Sequence, residues 1–320
     1  MERFLQEIKV LYLQNILLFE KEMVEFEIIE NNYSLSLHKE LVDVIDGYTH
    51  IIMAPTNVGN IFIKEINGDD KYIFFLEKIY KELSEKTILN SPLLTKNGRY
   101  ICDSENNKFI VFTEADKTKE VPPPSWWAFV LYEIHSISIN ENIGYFIPDK
   151  FFSINHNLFL KAMQYVPKDI KEILGNMLQL IKCTAKKKII KVVNHGDPLR
   201  SNVMKKNGRF ILIDFENACI KPKEYDLQRH LWDFAVNSSR NQIGNYYRDF
   251  IDEYLAYENI DFELLHDYYI LDFCKTLCWL YVVCNDNSRS DLKRQKNELE
   301  KFVVAMRTKK ISEMLDCMRW

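Results

Sequence analysis

Apolar and polar positions recur with two different periods along this chain, and the change of period predicts where sheet gives way to helix. From Leu41 the sequence reads LVDVID, a glycine turn Gly47-Tyr48-Thr49, HIIMAP, a second turn Thr56–Asn60, and IFIKEI. Three short apolar runs punctuated by turns predict an antiparallel meander. Residues 71–85 shift to a period near 3.6, with Tyr72, Ile73, Leu76, Ile79, Tyr80 and Leu83 on one stripe opposite charged positions. That spacing predicts an amphipathic helix. RYICDSE and KFIVFTE then flank Asn106-Asn107 and predict a β-hairpin running into the polar, proline-rich stretch Ala115–Ser125, the best candidate for a domain boundary. Ahead of the meander, Phe4, Leu5, Ile8 and Leu11 suggest a helical opening, and Val24–Ile28 alternates as a strand would.

Beyond Ser125 most of the chain reads as helix, except for a β island between Ile189 and Phe215. There VVNHGD leads to NVMKK, the pair Asn207-Gly208, and RFILIDF. Asn-Gly is a strong hairpin signal because both central residues of a type I′ turn need positive φ. The Trp126-Trp127 pair and the tyrosines between Tyr246 and Tyr281 read as helical core.

A length of 320 residues suits one bilobal protein or two domains with room for a proper core. Hydrophobic residues at 47% and charged residues at 28% are ordinary for a globular chain and argue against extended disorder. A net charge of −4 supplies no overall field that would recruit nucleic acid or an anionic membrane. The seven cysteines are odd in number and contain no C-x-x-C pair, so they read as reduced, mostly buried thiols. Acidic residues near the N-terminus and the lack of an 18-residue apolar run support neither a signal peptide nor a membrane span, and a cytoplasmic protein is the default expectation.

The chemistry concentrates in the β island, which reads His195-Gly196-Asp197-Pro198-Leu199-Arg200-Ser201-Asn202 and returns through the hairpin to Asp214-Phe215-Glu216. Phosphoryl transfer from a nucleotide needs a carboxylate to orient and deprotonate the attacking hydroxyl, and oxygen ligands for magnesium. Asp197, Asn202 and Asp214 supply that set. The run resembles the HGDxxxxN motif and the following IDFE-type metal motif of aminoglycoside phosphotransferases and choline kinases, which share the protein-kinase-like fold.

The resemblance implies an α+β fold: a small N-terminal lobe with an antiparallel sheet and one helix, and a larger, mainly helical C-terminal lobe. It places the nucleotide-binding lobe over residues 1–114, with 1–40 as a poorly assigned extension, a hinge over 115–125, and the catalytic and substrate-binding lobe over 126–320. It implies that Asp197 is the catalytic aspartate, that Asn202 and Asp214 hold Mg2+, and that Glu216 is the second acidic residue of the metal motif. Tyr225-Asp226-Leu227 resembles the family's YDL, whose aspartate buttresses the catalytic loop, and His195 supports that loop through hydrogen bonds. For ATP or GTP it implies a phosphate-covering turn at Gly47-Tyr48-Thr49, Lys64 on the third strand, and an ion pair from that lysine to Glu77 or Glu82. Thr113 to Ala115 fall at the hinge that meets the base. Arg200 has two open roles, stabilising the transferring phosphoryl group or pairing with a neighbouring carboxylate.

The partners implied are a nucleotide and a small-molecule hydroxyl, with no nucleic acid and no membrane. An antibiotic acceptor of the aminoglycoside type would suit carboxylates such as Asp233, Asp249, Asp252, Glu253 and Asp272. A choline-like acceptor would call for an aromatic cage, for which Trp232, Tyr246, Tyr247, Tyr269 and Trp279 are available. A third reading is a non-catalytic, spore-coat-type relative of the fold.

Overall fold

A computed structural model of the chain describes residues 27–37, 42–46, 49–103, 107–138, 156–179, 190–285, 292–311 and 313. The predicted helical opening at residues 4–11, the turn residues Gly47 and Tyr48, and Asn106 lie outside the described residues. Packing divides the chain into two units, Met1–Ser84 with Asn90–Asp116, and Glu85–Leu89 with Lys117–Trp320.

In the first unit the predicted meander forms as β1 (Val42–Asp46), β2 (Thr49–Thr56) and β3 (Gly59–Glu65). Strands β4 (Ile101–Asp103) and β5 (Lys108–Thr113) complete a five-stranded sheet in the order β1-β2-β3-β5-β4, every neighbouring pair antiparallel. Alternation along β3 divides its side chains between two faces. Ile61 and Ile63 enter a core with Ile29, Tyr33, Ile52, Ala54, Cys102, Phe109 and Val111. Phe62 and Lys64 take the opposite face, where Phe62 stands across from Phe112 and Lys64 across from Ile110.

Residues 27–32 form a helix, α1, so the strand expected over Val24–Ile28 is corrected at Glu27 and Ile28. A helical spacing of four puts Ile29 and Tyr33 together against the sheet, both essentially without exposure, and the Tyr33 hydroxyl donates to the Tyr100 carbonyl at 3.1 Å. Burying two large side chains outweighs a short local alternation.

Helix α2 (Asp70–Leu83) starts at Asp69, whose side chain caps the Tyr72 amide at 2.9 Å. All six stripe residues are buried, with Phe75 beside them. Tyr80 meets Phe112 edge-on, so α2 covers the sheet face that carries Phe62 and Lys64. A two-residue strand, β6 (Asp116–Lys117), falls at the division between the units.

The second unit is mainly helical: α3 (Pro124–His135), α4 (His156–Tyr165), α5 (Lys168–Gln179), α6 (Glu224–Asn237), α7 (Arg240–Leu255), α8 (Phe262–Cys284) and α9 (Leu292–Arg307). Proline opens α3 at its first turn, where a missing N–H costs nothing. Helix α8 is buried on nearly every side and packs against α4, α5, α6 and α9, which explains an apolar sequence with little amphipathic contrast. No helix of the described residues is long and apolar enough to cross a membrane. Cys102, Cys219, Cys274, Cys278 and Cys284 are free, buried thiols; Cys183 and Cys317 lie outside the described residues.

The β island comprises β7 (Val192–Asn194), which pairs antiparallel with β10 (Cys219–Lys221), and the hairpin of β8 (Val203–Lys206) with β9 (Arg209–Leu212). At the hairpin turn Asn207 has φ 52° and Gly208 φ 76°, the two positive angles that the Asn-Gly pair predicts. The whole segment from β7 to β10 therefore folds back on itself and gathers residues 195–202 and 213–217.

Candidate active site

In the second unit the loop after β7 is organised by one carboxylate. Asp226, fully buried in the first turn of α6, accepts the His195 amide on Oδ2 at 2.7 Å and the Gly196 amide on Oδ1 at 2.9 Å. His135 Nε2 reaches Asp226 Oδ2 at 3.3 Å, while His135 Nδ1 lies 2.7 Å from the Tyr254 hydroxyl. Backbone donors and the helix N-terminus together offset the buried negative charge.

His195 is wholly buried, with its ring 4.5 Å from that of Phe215. Its Nε2 faces the Ile213 carbonyl at 3.0 Å and must carry the proton, while Nδ1 accepts the Asp197 amide at 3.2 Å. Those bonds assign the neutral Nε2–H tautomer. Burial pushes the His195 pKa down, against the pull of Asp226 and Asp197, in keeping with a neutral ring. Gly196 sits at φ 85°, and a Cβ there would collide with the Asn217 carbonyl oxygen. Only glycine lets this loop pass so close to the turn Phe215–Asn217.

The loop delivers Asp197 at the surface of the unit, with 19% of its side chain exposed. Asn202 ends the short 3-10 turn Arg200–Asn202 and donates through Nδ2 to the Asp197 carbonyl at 2.9 Å, with Asp197 Oδ2 at 3.4 Å. The Ile213 amide donates to the Asn202 carbonyl at 2.9 Å, so the hairpin returns Asp214 to the neighbourhood of Asn202. Asp214 is half-buried and takes a left-handed conformation at φ 70°, ψ 61°. Such a backbone is uncommon for a residue with a Cβ. Glu216 lies in the next turn, Phe215–Asn217.

Of the two roles open to Arg200, the structure holds the carboxylate pairing. Its amide and Nε meet Asp233 Oδ2 at 3.1 and 3.4 Å, and its guanidinium lies 5.4 Å from the Phe234 ring centre. The arginine that touches Asp197 is instead Arg229, with Nε at 2.7 Å and Nη2 at 2.5 Å from Oδ1. Sequence reasoning passed over Arg229, yet a signal was present. Asp226, Arg229, His230 and Asp233 recur at spacings of three and four, which lines them up on one face of α6. Asp272, which accepts Arg229 Nη1 at 2.7 Å and Trp232 Nε1 at 3.1 Å, comes from α8 and left no such signal.

In the first unit Lys64 is half-buried on the α2-facing side of β3. Glu77, also half-buried, accepts Arg99 Nε at 3.1 Å and the Ile101 amide at 3.3 Å, whereas Glu82 is exposed. Thr49 opens β2 opposite Asp46. The Thr113 carbonyl accepts Asn90 Nδ2 at 2.9 Å, and the Glu114 amide donates to the Asn60 carbonyl at 3.1 Å; Ala115 follows between strands.

His230, packed 4.2 Å from the Trp127 ring and 2.9 Å from the Tyr246 hydroxyl, is buried and its pKa is pushed down to about 3. A depressed histidine pKa means that the unfolded chain takes up a proton first as pH falls below about 6.5. Stability is therefore full above that pH and is lost toward the folded value, by about 2 kcal/mol at pH 5 for His230 alone. Glu224 and Asp233, raised by burial, act with the opposite sign, and Asp272, lowered by Arg229 against its burial, acts only below the ordinary aspartate range. The test is thus a difference: between pH 7.5 and 5, wild type should lose about 2 kcal/mol more unfolding free energy than His230→Gln. Parallel losses in denaturant titrations of the two would contradict it.

Residues 130–261, which hold this loop, match the model of the family described as "Phosphotransferase enzyme family". No curated protein matches the chain in sequence. Among solved structures, spectinomycin phosphotransferase APH(9)-Ia in complex with ADP and spectinomycin superposes with a TM-score of 0.67 at 17% identity, over 89% of this chain and 97% of that one. Amicoumacin kinase hAmiN in complex with AMP-PNP, Ca2+ and Ami gives 0.63 at 14% identity, over 91% and 93%. A microcompartment-associated aminopropanol kinase gives 0.65 at 11% identity, over 92% and 99%. The fold expected from the β island is the fold observed.

Proposed function

From a chain that resembles the aminoglycoside phosphotransferases and choline kinases, we propose a small-molecule kinase that transfers the γ-phosphoryl group of ATP or GTP to a hydroxyl of an antibiotic, aminoglycoside-like acceptor. One observation carries the reading: Asp197 stands partly exposed between the buried Gly196 and Pro198, with Asn202 tied to it and Asp214 returned beside Asn202.

The residues fit a magnesium ion. Asn202 commits Nδ2 to Asp197 and keeps Oδ1 as an oxygen donor, and Asp214 adds a half-buried carboxylate, so both donors are hard oxygens. Asn202 and Asp214 would hold the metal, with Glu216 close behind. Bound there, Mg2+ supplies positive charge that neutralises the phosphate oxygens. Asp197 orients the acceptor hydroxyl and receives its proton as the new O–P bond forms and the bond to the nucleoside diphosphate breaks. His195 and Asp226 hold the loop and take no proton from the substrate. For the nucleotide, Lys64 contacts phosphate with Glu77 as its partner in preference to the exposed Glu82, Gly47-Tyr48-Thr49 covers the phosphates, and Thr113 and Ala115 meet the base.

Between acceptor classes the antibiotic reading is the better supported. Of the five aromatics offered for a quaternary-ammonium cage, Tyr247 and Tyr269 are 1% and 0% exposed, Trp232 and Tyr246 are also buried, and Trp279 alone keeps an exposed face, which by itself makes no cage. Two of the structural neighbours are described as a spectinomycin phosphotransferase and an amicoumacin kinase, and a third as an aminopropanol kinase. Of the carboxylates offered for cationic groups, Asp233 and Asp272 are buried and paired with Arg200 and Arg229, while Asp249, Asp252 and Glu253 remain exposed on α7. A scaffold without activity would have no need of the Asp197, Asn202 and Asp214 arrangement.

Phosphate transfer measured with MgATP and MgGTP over a panel of aminoglycosides, spectinomycin and amino alcohols tests the reading. Asp197→Ala should lower turnover by about 10²- to 10⁴-fold. Equal turnover by wild type and variant would sink it.

A further inference from the structure

Arg229 is the charged group closest to Asp197, and nothing in the motif accounts for it. Two of its donors, Nε and Nη2, converge on Oδ1 of Asp197, and its third, Nη1, reaches Asp272 Oδ2. Asp272 is 6% exposed and is also held by the Trp232 indole, while Arg229 packs 5.3 Å from the same ring. We infer that Arg229 is a positioning residue for the proposed transfer: it clamps Oδ1 of Asp197 so that Oδ2 is left to the acceptor hydroxyl, and Asp272 fixes the clamp. The inference rests on the proposed function through the role given there to Asp197.

The physical argument is one of rotamers. The terminal torsion of an aspartate is soft and roughly two-fold, so an untethered carboxylate presents either oxygen over a wide arc. Asn202 constrains only the Oδ2 side, and at 3.4 Å only loosely. The guanidinium is planar and its donors are rigidly spaced, so satisfying Asp197 and Asp272 together fixes where Oδ1 lies. Helix α6 supplies the geometry: Arg229 follows Asp226 by three residues, so the helix turn that anchors the loop backbone also anchors the side chain the loop presents. Arg229 touches no transferring atom in this scheme. The acceptor proton passes to Oδ2 of Asp197, the acceptor oxygen bonds to the γ-phosphorus, and the β–γ bridging oxygen departs with its electron pair on the nucleoside diphosphate.

A purely structural arginine predicts something different, namely lost stability with an unchanged chemical step. The deciding experiment measures MgATP turnover with water as acceptor, and with any alcohol from the panel that is phosphorylated, for Arg229→Gln, Arg229→Ala, Arg229→Lys and Asp272→Asn. The expected result is a kcat lower by about 10- to 100-fold in Arg229→Gln with KM for ATP within about twofold. Added guanidinium at non-denaturing concentration should restore part of kcat in Arg229→Ala. Asp272→Asn should show a smaller loss, and little more when added to Arg229→Gln, because the two act as one unit. Arg229→Lys keeps the charge without the fork and serves where the shorter variants fail to fold; a kcat at least about tenfold down at near wild-type melting temperature supports the clamp. A kcat within about twofold of wild type in Arg229→Gln or Arg229→Lys, with Asp197→Ala inactive, overturns the inference and leaves the proposed function standing. Equal turnover by wild type and Asp197→Ala removes the function first, and the clamp with it.

Discussion

Replacing Asp226 with alanine is expected to lower unfolding free energy by about 3–5 kcal/mol and to leave no measurable phosphate transfer. The carboxylate accepts two backbone amides of the loop, those of His195 and Gly196, and a nitrogen of His135, all in a region closed to water. Removing it strands two buried N–H groups, each costing about 1–3 kcal/mol, and breaks the contact from α6 to His135 of α3. Against a typical native stability of about 5–15 kcal/mol the variant should still fold at low temperature, so the loop's contribution to turnover is separable from global unfolding. Asp226→Asn makes a graded control: one oxygen still accepts an amide, while the new NH2 opposes the other. Denaturant titration with turnover measured well below the midpoint checks both, and a fully active Asp226→Ala would remove the buttress from the argument.

The second large effect is expected at Gly196. Alanine there meets two separate penalties, a positive φ of 85° and a collision between its Cβ and the Asn217 carbonyl oxygen. The conformational part costs about 1 kcal/mol or somewhat more. The collision is with backbone, and the strand pair β7–β10 holds both sides, so the loop must shift as a whole. A total of about 3–5 kcal/mol follows, together with displacement of Asp197 and loss of turnover. Gly208 supplies the internal control, because its φ of 76° is similar and its Cβ would meet open space. Gly208→Ala should therefore cost only about 1 kcal/mol and leave turnover near wild type. Equal melting temperatures for the two variants would show that the close approach at Gly196 carries no weight.

Several elements were legible because their causes are local. The α2 stripe, the meander and the Asn207-Gly208 turn follow from side-chain period and from the φ that a turn demands, and all three stand where the pattern placed them. The exception, the helix at 27–32, arises where a core formed by distant strands decides the conformation of a short segment. The candidate site divides in the same way. Asp197, Asn202 and Asp214 belong to one contiguous β island, and the hairpin that joins them could be read from its own residues.

What surrounds Asp197 was decided elsewhere. Arg229 and Asp272 stand on different helices, separated by all of α7, and only the packing of α6 on α8 makes them neighbours. The seating of the turn Arg200–Asn202 against α6 likewise gives Arg200 its partner in Asp233. By itself the amino-acid sequence determined the fold class and the chemical identity of the loop, because periodicity, turn angles and donor types are properties of adjacent residues. Tertiary structure alone decided which charges the carboxylate of Asp197 meets, because ion pairs form between atoms a few ångströms apart in space, wherever along the chain they lie.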